Sequence, residues 1–167
     1  GIFLNRATTI MAGAVPAPSP AEIETELLPG LTEMARSGYT AVHDAGVDRA
    51  MLAGYQALDA RKALPIRVHV MLSARDPDLC REWEAKGPLG APGDMLIVRA
   101  VKAYYDGALG SRGARLLDDY SDTPGHKGVS GAGYGFDTAV VAAMMRAGFQ
   151  VGVHAIGDGG NRESLDF

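Results

Sequence analysis

Apolar positions along this chain recur with two alternating periods. Short β-prone runs, Tyr39–His43, Ile66–Leu72, Met95–Tyr105 and Phe149–Ile156, are separated by stretches in which apolar residues return every three or four positions. Ser19 reads as a helix N-cap, with Pro20 in the first turn and Glu22 completing a capping box. Ile23, Leu27, Leu31 and Met34 then form an apolar stripe that runs toward Gly38, and Pro29-Gly30 inside it predicts a kinked or split helix. Asp48 opens a second helix carrying Met51, Tyr55 and Leu58, which Pro65 closes. Asp76-Pro77 opens a third through Leu79 and Trp83, and Asp137 or Thr138 caps a short one over Val140, Val141, Met144 and Met145. The first three predicted strands start about thirty residues apart, the length of a right-handed βαβ unit.

The expected fold class is therefore α/β, with four parallel strands and flanking helices, part of a (β/α)8 barrel that takes eight strands when complete. Residues 1–18, with prolines at 16 and 18 at their end, are expected to form an extended lead-in, and 19–167 the partial barrel. Half a barrel leaves two strand edges and an inner face uncovered. That predicts association with a second copy, as a homo-oligomer, or with the missing half. Gly107–Phe136 carries eight glycines and no clear periodicity, and a connection of that length in a compact domain is usually an active-site or binding loop.

Composition narrows the function classes. An apolar fraction of 47% with 22% charged residues fits one soluble globular domain. A net charge of -4 and a pI near 5.5 give no basic surface for nucleic acid or anionic lipid. The lone Cys80 excludes an internal disulfide framework and a cysteine-rich zinc knuckle; it fits a reducing compartment, and a cytoplasmic location is the expectation. No apolar run approaches the ~20 residues of a membrane helix, and the apolar stretch Ala7–Ala14 is too short and too interrupted by Thr8 and Thr9 for a signal peptide.

The chemistry concentrates at strand ends. On the run ending in Tyr105, alternation puts Lys102, Tyr104 and Asp106 on one face and Val101, Ala103 and Tyr105 on the other. Lys102 either pairs with Asp106 or solvent, or sits desolvated as a neutral amine able to act as a nucleophile or to condense with carbon dioxide. The resulting carbamate is an anionic two-oxygen ligand for metal. His154 stands at a comparable place before Gly157-Asp158-Gly159-Gly160, as a core histidine or a second metal ligand. His43, read as ending its strand before Asp44-Ala45-Gly46, is a substrate-facing candidate; His69 reads as structural and His126 as solvated. Gly107–Gly113 with Arg112 either cradles an anion or makes a tight turn. No G-x-G-x-x-G and no Gly-x-Ser-x-Gly is present.

Val42-His43-Asp44-Ala45-Gly46, the segment Val101–Ala114 and Val153-His154-Ala155-Ile156-Gly157-Asp158 together resemble the amidohydrolase superfamily, and within it the amidohydrolase family 3 branch that includes N-substituted formamide deformylases. The resemblance runs from about Ser19 onward. It implies a metal-dependent hydrolase of carbon-nitrogen bonds in small amides or formamides, on a distorted (β/α)8 barrel, with one or two divalent cations such as zinc. Carried over by position, Lys102 becomes a carboxylated bridging ligand and His154 a metal ligand, while His43, Asp106 and Arg112 inherit no role and stand as substrate or active-site loop candidates. The His-x-His pair, a further histidine and the acid/base aspartate of that family have no counterpart here, so the chain is expected to be barrel strands two to five and inactive alone. The alternative is a half-barrel without catalysis, acting as an assembly or binding module.

Overall fold

The computed structural model describes residues 2–3 and 7–167. Four strands, β1 (Ala41–Val47), β2 (Arg67–Ser73), β3 (Leu96–Tyr104) and β4 (Gln150–His154), form one sheet in the order β1-β2-β3-β4. Between them run α2 (Pro20–Arg36) ahead of β1, α3 (Arg49–Ala60), α4 (Pro77–Lys86) and α5 (Thr138–Arg146); α6 (Asp158–Leu165) follows β4. This is the expected α/β fold with four parallel strands. Two compact units divide the chain: one holds Pro18–Lys102 and Thr138–Gly152, the other Ala103–Asp137, Val153–Phe167 and the N-terminal segment.

The first unit is built on burial. Val68, Val70 and Leu72 alternate along β2 with no exposed surface, and with Val98 and Val101 of β3 they join one core cluster that includes Leu31, Leu52, Tyr55, Leu58, Leu79 and Trp83 of the helices. Each fully buried aliphatic side chain of this kind contributes about 2 kcal/mol. The helix starts follow the sequence signals. Ser19 and Glu22 complete a capping box, and the carboxylates of Asp48 and Asp76 accept from the Met51 and Leu79 amides at 2.9 Å.

Four local differences from the sequence reading have physical causes. Pro29 does not split α2, which runs unbroken over 17 residues; Pro29 and Gly30 lie on its exposed face, where solvent can reach the carbonyl that proline leaves without an N–H donor. Within the lead-in, Thr8–Ala12 is a short helix (α1) rather than extended chain. Strand β1 does not stop at His43: Gly46, at φ +100°, absorbs a bulge between Ala45 and Val47 and the ladder continues to Val47. On β3 a second register shift falls opposite Val70/Met71, so the buried positions change phase, from Leu96 and Val98 to Val101 and Ala103. Ile97 and Arg99, then Lys102 and Tyr104, are left on the more open face.

Because Pro29 is exposed and has no N–H to donate a hydrogen bond in a continuous helix, Pro29→Ala is expected to raise stability by about 2 kcal/mol, read as an increased urea midpoint at unchanged m-value.

Candidate functional site

Lys102 is the third residue from the end of β3 and pairs in register with Ser73, the last residue of β2. Its carbonyl accepts from the Ala74 amide at 2.9 Å, and its side chain is partly buried. Burial alone pushes the Lys102 amine below the ordinary lysine pKa, in the direction that carbamate formation requires. A Cβ built on Gly152 of β4 would lie 2.4 Å from Met71 Cε, and Met71 is two residues from Ser73 on β2; the side chain of Gly152 would thus point to the face that carries Lys102.

In the other unit, β4 ends at His154, whose ring is partly exposed and lies 6.1 Å from the Tyr104 ring between centroids. His154 Nε2 is 3.9 Å from Asp106 Oδ1. Asp106 itself has no exposed surface. Its carboxylate accepts from the amides of Arg115 (2.9 Å), Ile156 (2.9 Å) and Gly157 (2.8 Å), so one side chain ties the loop after β3 to the turn after β4. The glycines of that turn exist for close approach: a Cβ on Gly157 would stand 1.7 Å from Arg115 O, and one on Gly160 would stand 2.6 Å from Asp106 Oδ2. Glu163 on α6 gathers a second set of bonds, accepting from Tyr105 Oη (3.1 Å), Arg115 Nε (2.9 Å) and Ser130 Oγ (2.9 Å). Burial would raise the Glu163 pKa, but those three donors outweigh it and hold the carboxyl below its usual value. Nothing in the local sequence around Glu163 or Ser130 signals this network.

The other candidates fall into place around these. Arg112, in left-handed backbone at φ +56°, is paired through its guanidinium with Asp122. The amides of Gly107, Arg112, Gly113 and Ala114 donate to carbonyls within the same segment, so Gly107–Gly113 forms a turn closed on itself. His126, expected to be solvated, has Nε2 2.8 Å from Arg112 O and stacks on Tyr120. His43 is the third residue of β1 rather than its last, because the Gly46 bulge prolongs the strand; its ring lies 4.4 Å from that of His69, its register partner. Asp44, on the opposite face, accepts from Tyr55 Oη at 2.7 Å.

Among the described residues no three His, Cys, Asp or Glu side chains are grouped to hold a metal ion. A zinc site needs about four donors. The donor set of this chain does not by itself fit a metal centre.

Asp106→Ala strands three main-chain amides, one of them buried, so a loss of about 3 kcal/mol in denaturant unfolding is expected, with Asp106→Asn losing less because one oxygen still accepts. Competitive acetylation across pH should give Lys102 a titration midpoint below 10.5, the ordinary lysine value.

A model of the amidohydrolase family matches residues 1–166. YtcJ of Bacillus subtilis (strain 168), which carries an amidohydrolase name, is 27% identical over 167 residues, 95% of this chain and 30% of its own length. The protein LONG AFTER FAR-RED 3 of Arabidopsis thaliana is 37% identical over 73 residues, 44% of this chain and 12% of its own. Crystal structures of uncharacterized metal-dependent hydrolases from Pyrococcus horikoshii and Pyrococcus furiosus superpose with TM-scores of 0.79 and 0.81 at 24% identity, covering 89% and 96% of this chain and 30% and 33% of theirs. Those two likenesses establish the fold. The chain spans about 30% of the length of YtcJ and of the two Pyrococcus hydrolases. It belongs to the amidohydrolase family.

Proposed function

We propose that this chain is the part of a metal-dependent hydrolase that supplies Lys102 and His154 as ligands to a divalent cation, zinc in the simplest case, and that the complete protein cleaves carbon-nitrogen bonds in small amides or formamides. The observation that carries the reading is the place of Lys102, partly buried near the C-terminal end of β3 in a chain of this family. In parallel α/β folds that end of the sheet bears the catalytic loops. The desolvated amine supports it, since only the neutral form takes up carbon dioxide. His154 closes β4 in the same manner, and Asp106 fixes the turn that follows it.

The remaining donors and the acid/base group belong to residues outside this sequence. The purified 167-residue chain with added zinc is therefore expected to release no amine from N-formyl or N-acetyl substrates, and a chelator should move its melting temperature by less than about 1 °C, because a ligand that scarcely binds stabilises nothing. Amine release that Lys102→Ala abolishes would mean the constellation is complete in this chain and would overturn the reading.

A second reading, an assembly module without catalysis, draws on the strand order: β1 and β4 are the outer strands of the sheet. It predicts a discrete oligomer by light scattering and no carbamate on Lys102 by 13C NMR in labelled bicarbonate.

A further inference from the structure

The sheet face that carries Lys102 has a second, chemically different end. Counting back along β3 from Lys102 to Ile97 covers five residues, roughly 16 Å at the rise of a strand, and Ile97 is the register partner of His69, itself the partner of His43. At this N-terminal end the His43 and His69 rings lie 4.4 Å apart, tilted by 45°. Among the described residues, His69 Nε2 is a buried side-chain polar atom with no hydrogen-bond partner. His69 also lines a cavity of about 540 Å³ together with Gly90, Ala91, Pro92, Ile97 and Arg99. Arg99 is exposed; its Nη1 donates to Gly90 O at 3.2 Å, and among the described residues no carboxylate lies within ion-pair range of it.

A buried ring nitrogen without a partner is costly and rare, so the nature of a group that would satisfy it is informative. A cation bridging the two imidazoles would sit beside the Arg99 guanidinium, which repels it, and would find only two ligands. An oxyanion meets the opposite situation. It accepts from the planar fork of Arg99, the geometry that favours carboxylate and phosphate, and, once the His69 ring turns toward the cavity it lines, from the Nε2–H that is buried in this structure. The field agrees: burial first, then His43 and Arg99, hold the His69 pKa below the usual histidine value, the last two marking the corner as electropositive. The cavity has the size of a small-molecule site.

We propose that His43, His69 and Arg99 form a binding site for a small oxyanion, a carboxylate or phosphate group, at the N-terminal end of the sheet. The site lies away from Lys102 and does not depend on the hydrolase reading.

Titration of the chain with inorganic phosphate and with acetate, at constant pH and ionic strength and followed by the ring carbon-proton signals of the four histidines, tests it. Saturable shifts are expected at His43 and His69 and none at His126 or His154. Arg99→Gln, an exposed position that leaves the core untouched, should weaken binding about tenfold, and Arg99→Lys should weaken it less. Rings that do not move, equal affinity in Arg99→Gln, or saturation by zinc chloride where phosphate has no effect would overturn the proposal. A longer form of the protein separates the sources of the oxyanion. Phosphate that still moves the His69 ring there identifies a free small anion, whereas a ring already shifted and insensitive to phosphate identifies an acidic side chain; either result upholds the chemistry.

Discussion

The loops that follow β3 and β4 depend on one buried carboxylate. Asp106 has no exposed surface, and its charge is balanced by three main-chain amides, one 9 residues away and two 50 and 51 residues away. Taking an aspartate out of water is affordable only when donors of this quality replace the lost hydration. The glycines at 157 and 160 follow from it. They let the turn after β4 come within van der Waals reach of the Arg115 backbone and of the carboxylate itself. His154, the residue before that turn by two positions, therefore sits on the best-braced stretch of its unit.

Much of the fold could be read from the chain because it rests on periodicity. Val68, Val70 and Leu72 declare a strand by alternation, Ser19 and Glu22 declare a helix start, and the thirty-residue spacing declares parallel pairing. What escaped was set by single residues whose effect is decided by the surroundings. Gly46 resembles a turn residue in sequence, yet β2 alongside offers a ladder and the glycine takes a bulge instead. Pro29 looks like a helix breaker, yet α2 presents it to water. The phase change on β3 leaves no mark in composition, since Val98, Ala100 and Val101 are all apolar.

The candidate chemistry was legible in the same uneven way. Lys102 and His154 stand out because a lysine and a histidine near the ends of apolar strands need an explanation. Asp106 and Arg112 read as active-site loop candidates, but their partners are main-chain amides and Asp122, and a sequence does not announce which amides will converge on a carboxylate. Glu163 was invisible for the same reason. His69 raised the reverse difficulty: a histidine in the middle of a strand is usually satisfied, and here its Nε2 is not.

Within the first unit, then, one face of the sheet carries opposite electrostatic demands at its two ends. Near the C-terminal ends of the strands burial lowers the pKa of the Lys102 amine. Toward the N-terminal ends two imidazole rings lie 4.4 Å apart, and Arg99 acts electrostatically on one of them, lowering the His69 pKa further. In a parallel α/β sheet the first end is where loops vary and reactions are run, and the second is where residues are retained for stability. That corner carries little charge of its own, because the His69 pKa is held below the usual histidine value and Arg99 is exposed to solvent, so the core that Val68 and Val70 build on the reverse face is not opposed by it. The oxyanion site proposed at this end and the reaction proposed at the other thus draw on the same face of one sheet and do not depend on each other.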